Sequence, residues 1–284
     1  MSEKTRWQEQ VDAFLTNYDG LTRRRYADAL ADFHRWYVGT YDEEPDVLLL
    51  TREEAREYRA YLSGVRNLKA STVNGRLAAL RSLVRFHGRT LRVRGVRRAE
   101  TPVEALTGRE LGRLLAAVEG PRWLDRRNVA LVSLMARAGL RVGEVVALDV
   151  KDVELNNRSG WALIRRGKGL KERRVPLSAE ARRALREYLE VRPDASTGVL
   201  FLSRTLEPLG ARDVQRMITE AARRAGITKQ VTPHTLRHTF ATRFLQRGGD
   251  LATLQAVLGH ANLATTARYL HPDAARVQEM VEVL

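Results

Sequence analysis

The stretch "TPHTLRHTFATRF", Thr232–Phe244, carries several start signals in its first residues. Thr232 is a residue type that caps helices, and Pro233 suits a first helical position, so a helix is predicted over 233–247. His234 and Arg237 follow at a spacing of three, which puts both on one face of that helix. Near a helix N-terminus such a face favours an anion, because free N–H groups and the helix dipole both point at it. His238 lies four residues after His234 and can support it. A single His-x-x-Arg is a common pattern, and its meaning depends on the rest of the chain.

Downstream lies "LGHANLATTARYLH", Leu258–His271. On one unbroken helix, nine residues turn through about 900°, so His260 and Tyr269 would face opposite ways. The sequence breaks the helix instead. Gly259 can end it, Asn262 can cap a new one and Pro272 stops that. His260 then sits on a turn and Tyr269 on the helix after it, and the two can approach one site. At this level the phenol is either a core aromatic or a nucleophile. Four of the six histidines fall between residues 234 and 271.

Upstream, "WALIRRGKGLKERRVPL", Trp161–Leu177, reads as two strands joined by a glycine-containing turn. Two of the six lysines, Lys168 and Lys171, lie in that turn. A lysine there can enter a DNA groove or protonate a leaving oxygen. In "ARAGLRVGEVVAL", Ala136–Leu148, Gly139 can end one helix and Arg141 sits before the next. "NVALVSLMARAGL" reads as a buried helix, Thr107 caps another, and "SAEARRALREYLEV" and residues 211–226 give two more.

The first hundred residues read as four or five helices. "LTRRRYADALADFHRWYV" spaces Leu21, Tyr26, Leu30, Phe33 and Tyr37 helically. Thr51 and Glu54 form a capping-box pattern. "ASTVNGRLAALRSLVRFHG" aligns Val73, Leu77, Leu80, Leu83, Val84 and Phe86 and ends at Gly88. Asp42–Glu57 is acidic, whereas Arg66–Arg98 holds ten basic residues and no acidic one. An acid-free stretch of that length is expected to form a phosphate-contacting surface. Its end, "RTLRVRGVRRAETPVEAL", reads as a basic linker running along DNA. The fold class expected is mainly α with a small antiparallel β-sheet, in two domains: residues 1–98 and 105–284, joined by 99–104.

The bulk numbers agree. The chain has 284 residues, is 44% hydrophobic and carries a net charge of +15, which suggests a polyanionic partner. There are no cysteines, which excludes disulfides, thiolate catalysis and cysteine-ligated zinc. No apolar run reaches bilayer length and "MSEKTRWQEQ" has no apolar signal core, so a cytoplasmic, nucleoid-associated protein is expected. No convincing carboxylate cluster suits two-metal chemistry, and no P-loop is present.

The order Arg, Lys, His-x-x-Arg, His, Tyr, carried by "GLRVGE", "GKGLKERRVPL", "HTLRHTFAT" and "LGHANLATTARYLH", resembles the tyrosine recombinase and integrase family. The resemblance covers about residues 105–284, and the helical N-terminal part looks like that family's core-binding, SAM-like DNA-binding domain. It implies a clamp around DNA, with Tyr269 as the nucleophile that forms a 3′-phosphotyrosyl bond. It also implies that Arg141 and Arg237 clamp the non-bridging oxygens and Lys168 is the general acid. Lys168 is preferred to Lys171 because it matches the family position between two glycines. By the same resemblance His234 assists as acid/base and His260 hydrogen-bonds the phosphate. Gly143 stands where a serine is often seen.

The implied activity is site-specific cleavage and rejoining of double-stranded DNA through a Holliday junction. A homotetramer on two sites would carry it out without cofactor or metal, with or without accessory proteins. The apolar set Ala275, Val277, Met280, Val281 and Leu284 is expected to dock the tail on a neighbour. An extra arm-binding domain is not expected, which leans towards a Xer-like or mobile-element recombinase. Two other readings stand beside it: a type IB topoisomerase, which shares the chemistry, and a catalytically silent DNA-binding regulator.

Overall fold

The computed structural model describes residues 4–97, 104–165 and 172–259. The chain divides into two compact units, Met1–Thr101 and Pro102–Leu284. The described structure is mostly helical, with one three-stranded antiparallel sheet.

The first unit contains α1 (Arg6–Leu15), α2 (Gly20–Tyr41), α3 (Arg52–Ala60) and α4 (Ala70–Phe86), with a π turn at Tyr61–Val65 after α3. α3 starts at a full capping box: the Thr51 hydroxyl accepts from the Glu54 N–H, and the Glu54 carboxylate accepts from the Thr51 N–H. The stripe on α4 packs inward through Val73, Leu77, Leu80, Leu83 and Val84 against Phe14, Phe33 and Tyr58. Phe33 and Tyr58 meet edge to face, 5.0 Å between centroids. Two members of the expected stripes are exposed, Leu21 at 62% and Phe86 at 46%. Both lie at helix ends, where the periodic pattern runs past the packed region.

The acid-free stretch is only partly the surface expected of it. Arg66, which stays exposed, and the less exposed Arg76 both donate to Asp32 of α2, which also accepts from the Tyr58 hydroxyl at 2.8 Å. Arg81 donates to the Val93 carbonyl, and Arg89 to those of Val47 and Leu50. Lys69, Arg85, Arg92, Arg94 and Arg97 are exposed. Nor is residue 89 onward a free linker. Leu91 and Val93 are buried in the helical core, and Asn74 exchanges two hydrogen bonds with the Val96 backbone. Alternating apolar residues there find a packed surface, so the chain stays with the unit through at least Val96.

In the second unit, α5 (Gly108–Val118) begins with Thr107 and Glu110 in a capping box. α6 (Trp123–Arg137) has a mostly apolar second half and is accordingly buried from Ala130 to Ala136. α8 (Ala179–Leu189) and α10 (Pro233–Gln246) pack on it. α9 (Ala211–Arg224) closes the core through Val214, Ile218 and Ala221. The sheet has the order β1 (Val153–Leu155), β2 (Gly160–Ile164), β3 (Arg173–Pro176). Its register pairs Ala162 with Val175 and Ile164 with Arg173. The sequence showed β2 and β3; β1, only three residues long, was not foreseen. The short α7 (Val142–Val146) and α11 (Leu251–Leu258) complete the described elements of this unit. No described helix is long and apolar enough to cross a membrane.

Candidate active site

Two residues beyond α6 the chain turns at Gly139, whose φ is +69°. A Cβ there would lie 2.4 Å from Phe240 Cδ1 and 2.9 Å from Leu258 Cδ2, so both the backbone angle and the space demand glycine. The turn delivers Arg141 to the N-cap of α7. Its N–H and its Nη1 both donate to the Glu144 carboxylate, at 2.9 and 2.8 Å.

Arg237 reaches the same place from the second turn of α10. It is 3% exposed. Its Nη1 donates to the Gly139 carbonyl at 2.7 Å and its Nη2 to the Leu258 carbonyl at 2.8 Å. Arg141 Nη1 reaches that same Leu258 carbonyl at 3.3 Å. Arg173, the first residue of β3, places both Nη groups on Glu144 at 3.0 and 2.9 Å and its Nε on the Val257 carbonyl at 3.0 Å.

The geometry has a simple electrostatic logic. The last carbonyls of α11 lack intrahelical partners and form the negative end of its dipole. Three arginine side chains take them up. Gly259 ends the helix in the left-handed region, φ +62°. Burial would push the Glu144 carboxyl up, but hydrogen bonds from Arg173, from the Arg141 N–H and from the Arg141 guanidinium hold it below the usual carboxylate range. Glu144 is therefore ionised at neutral pH. Among the described residues, Arg141, Arg173 and Arg237 share that single carboxylate, with Arg237 Nη1 3.8 Å from it. Counted over the described residues, this cluster carries more positive than negative charge, which suits an anion and, more strongly, the charge that builds on phosphoryl oxygens during transfer.

Of the six site residues expected from the sequence, Arg141 and Arg237 are brought together through Glu144 and Leu258. His234 is exposed on the first turn of α10, three residues before Arg237. Thr232 caps that helix by accepting from the Thr235 N–H, with Pro233 at its start, so its positive end lies at His234. Lys168, His260 and Tyr269 lie outside the described residues, as does the apolar tail. Two residues went unassigned in the sequence. Glu144 stood in the quoted "GLRVGE", and its spacing of three from Arg141 is that of a capping carboxylate. Arg173 shares the inward face of its strand with Val175, a period-of-two signal easily passed over in a run of charge.

The profile of the phage integrase family matches residues 104–276. This chain belongs to the phage integrase family. Among its relatives, the tyrosine recombinase XerC of Methylobacterium sp. (strain 4-46) is 35% identical over 283 residues, spanning 92% of this chain and 86% of the relative. The crystal structure of XerA recombinase is 30% identical and superposes with a TM-score of 0.57, covering 96% of this chain and 97% of that one. The XerH site-specific recombinase, in a post-cleavage complex with palindromic difH substrate, shares the fold. Its TM-score is 0.76 at 24% identity, over 97% of this chain and 84% of that chain. The arginine cluster described above thus lies within the part of the chain that matches the integrase family profile.

Proposed function

We propose that this integrase-family chain is a site-specific recombinase that cleaves and rejoins double-stranded DNA, with Tyr269 as its nucleophile. One observation carries the reading furthest. Arg141 and Arg237, residues distant in sequence, converge on one point with an ionised Glu144 and a surplus of positive charge. Membership of the family and a relative named tyrosine recombinase XerC support it.

In this scheme a scissile phosphate enters beside Arg141 and Arg237, which stabilise its equatorial oxygens. Permanently charged guanidiniums do there what Mg²⁺ does in many phosphoryl-transfer enzymes. The Tyr269 oxygen attacks phosphorus, a 3′-phosphotyrosyl bond forms and the 5′-oxygen leaves with a proton from Lys168. His234 acts as acid/base, and His260 hydrogen-bonds the phosphate. The free 5′-hydroxyl of a partner strand then attacks the phosphotyrosine and releases Tyr269. The covalent bond conserves the phosphodiester energy, so no ATP or metal is required. One strand pair exchanges to a Holliday junction, then the other, on a homotetramer spanning two sites, with the N-terminal unit as a second DNA-binding domain.

The decisive test is a suicide-substrate assay in EDTA. Nicked duplexes would carry a site that the protein itself selects from a randomised DNA pool. Wild type is expected to give a denaturation-resistant adduct and Tyr269→Phe none. No adduct on bound DNA would favour the silent-regulator reading. An adduct from the Phe variant would mean another nucleophile. Relaxation of supercoiled plasmid without strand exchange would favour the topoisomerase.

A further inference from the structure

We infer that Arg173 is a positioning residue, which sets Arg141 by clamping Glu144 and locks strand β3 to the end of α11. The inference rests on the function proposed above. Three directed bonds carry it: two from the guanidinium fork to Glu144 and one from Nε to the Val257 carbonyl. The side chains of Arg173 and Glu144 are only 11% and 13% exposed. Glu144 in turn holds the Arg141 N–H and guanidinium. One side chain therefore joins three segments of the chain: β3, which follows the Lys168 turn in sequence, α7, which opens at Arg141, and α11, which ends two residues before His260.

Arginine is required by shape. A planar guanidinium directs three of its N–H groups at two acceptors at once, whereas a lysine ammonium is a single point charge. Without Arg173, the Val257 carbonyl and one side of a buried carboxylate lose their donors. Glu144 is then free to turn towards Arg141 or Arg237. A shift of about 1 Å in a phosphate-clamping group is enough to slow chemistry by about 10²-fold.

The experiment compares wild type, Arg173→Met and Arg173→Lys on the selected suicide duplex, scoring DNA affinity and, at saturating DNA, the rate of adduct formation. Both variants are expected to bind within about threefold of wild type, with Arg173→Met slowed by about 10²-fold and Arg173→Lys recovering part of the rate. The groups that face Glu144 among the described residues are Arg141, Arg173 and Arg237. Loss of Arg173 should therefore move the acid limb of the rate profile to higher pH in Arg173→Met and much less in Arg173→Lys. Unchanged saturated rates in both variants would overturn the inference. So would losses of affinity, rate and melting midpoint that run in parallel, because those indicate a fold role only. If wild type itself forms no adduct, the proposed function fails, and hydrogen exchange then decides the inference separately. Faster exchange in Arg173→Met at Val142–Val146 and at Leu258 and Gly259 supports the clamp; unchanged protection refutes it.

Discussion

Each unit of this chain is organised around one carboxylate among arginines, and the two clusters do different work. In the first unit Asp32 is met by Arg66, Arg76 and, at 3.5 Å, Arg35, with the Tyr58 hydroxyl as a fourth donor. In the second, Glu144 is met by Arg141, Arg173 and Arg237. The count of charges is the same. What differs is the other end of each arginine's hydrogen bonding. Arg66 and Arg76 bond onto Asp32 and fasten α2 to the segments before and within α4. Arg141, Arg173 and Arg237 each reach past the carboxylate to a carbonyl at the end of α11. The first cluster is a fastener for a helical bundle. The second ties together the segments on which the proposed site is built. A buried ion cluster is thus no sign of function until the remaining donors have been traced.

The largest effects separate the two clusters. Arg141→Lys and Arg237→Lys should each slow adduct formation by about 10²- to 10³-fold, as loss of an oriented transition-state donor does. Only Arg237→Lys should also lower the melting midpoint, because Arg237 is 3% exposed and holds the Gly139 and Leu258 carbonyls. Equal midpoints for the two variants would break the comparison.

Asp32→Ala should cost the first unit about 1 to 3 kcal/mol in chemical denaturation, chiefly because the buried Tyr58 hydroxyl loses its acceptor while Arg35 and Arg66 stay open to solvent. A loss well below 1 kcal/mol would mean that Asp32 fastens nothing.

Salt dependence sharpens the same contrast within the basic stretch. Replacing exposed Arg92 and Arg94 together by Gln should reduce the slope of log affinity against log salt by about 2, near 0.9 for each phosphate contact. Replacing Arg66 by Gln should change that slope less than replacing either of those, since its guanidinium is bonded to Asp32.

Acid titration gives a further, smaller signal. Burial alone would raise the Asp32 carboxyl, but bonds from Tyr58 and Arg66 and the charge of Arg76 hold it below its ordinary value. A carboxyl lowered by folding stabilises the fold above its unfolded pKa and loses that contribution as pH falls through the folded one. Stability of the first unit should therefore drop below about pH 4, and Asp32→Asn should flatten that drop. An acid limb unchanged in Asp32→Asn would assign the drop to other carboxylates.

The smallest effect concerns Gly143. A Cβ there meets nothing within 4 Å. Gly143→Ala should raise stability by about 1 kcal/mol, the helix-propensity difference, and thermal unfolding would detect it.

Local signals were legible in the sequence because their physics is local. Thr51 with Glu54, Thr107 with Glu110 and Thr232 before Pro233 all start helices where their spacing says they should. Gly139 and Gly259 end helices in the left-handed region, as read. The largely apolar run Val129–Ala136 marked the central helix. Long-range pairings were not legible. Arg66 and Arg76 look like surface charge in any short window, because Asp32 stands 34 and 44 residues away. Glu144 and Arg173 are 29 residues apart, and nothing in either neighbourhood announces the other. The stretch 91–96 reads as linker because arginines alternate with its valines and leucine and surround it on both sides, although the apolar residues decide where it packs. Arg141 and Arg237 could be named only through the resemblance to the integrase family; that they meet over the end of α11 is a property of the folded chain.

The Leu258 carbonyl, shared by Arg141 and Arg237, also sets terms for whatever anion arrives. It already accepts one N–H from each guanidinium and brings a partial negative charge to both. Binding there is an exchange of acceptors, and the gain is only the difference between the old and the new. A small stray anion such as inorganic phosphate gains little by displacing a backbone oxygen that costs nothing to bring. A phosphate embedded in a long duplex, held by many contacts elsewhere, can win that exchange. The arginine pair in this sense carries a weak competitor supplied by its own main chain, which favours long polymers over loose ions.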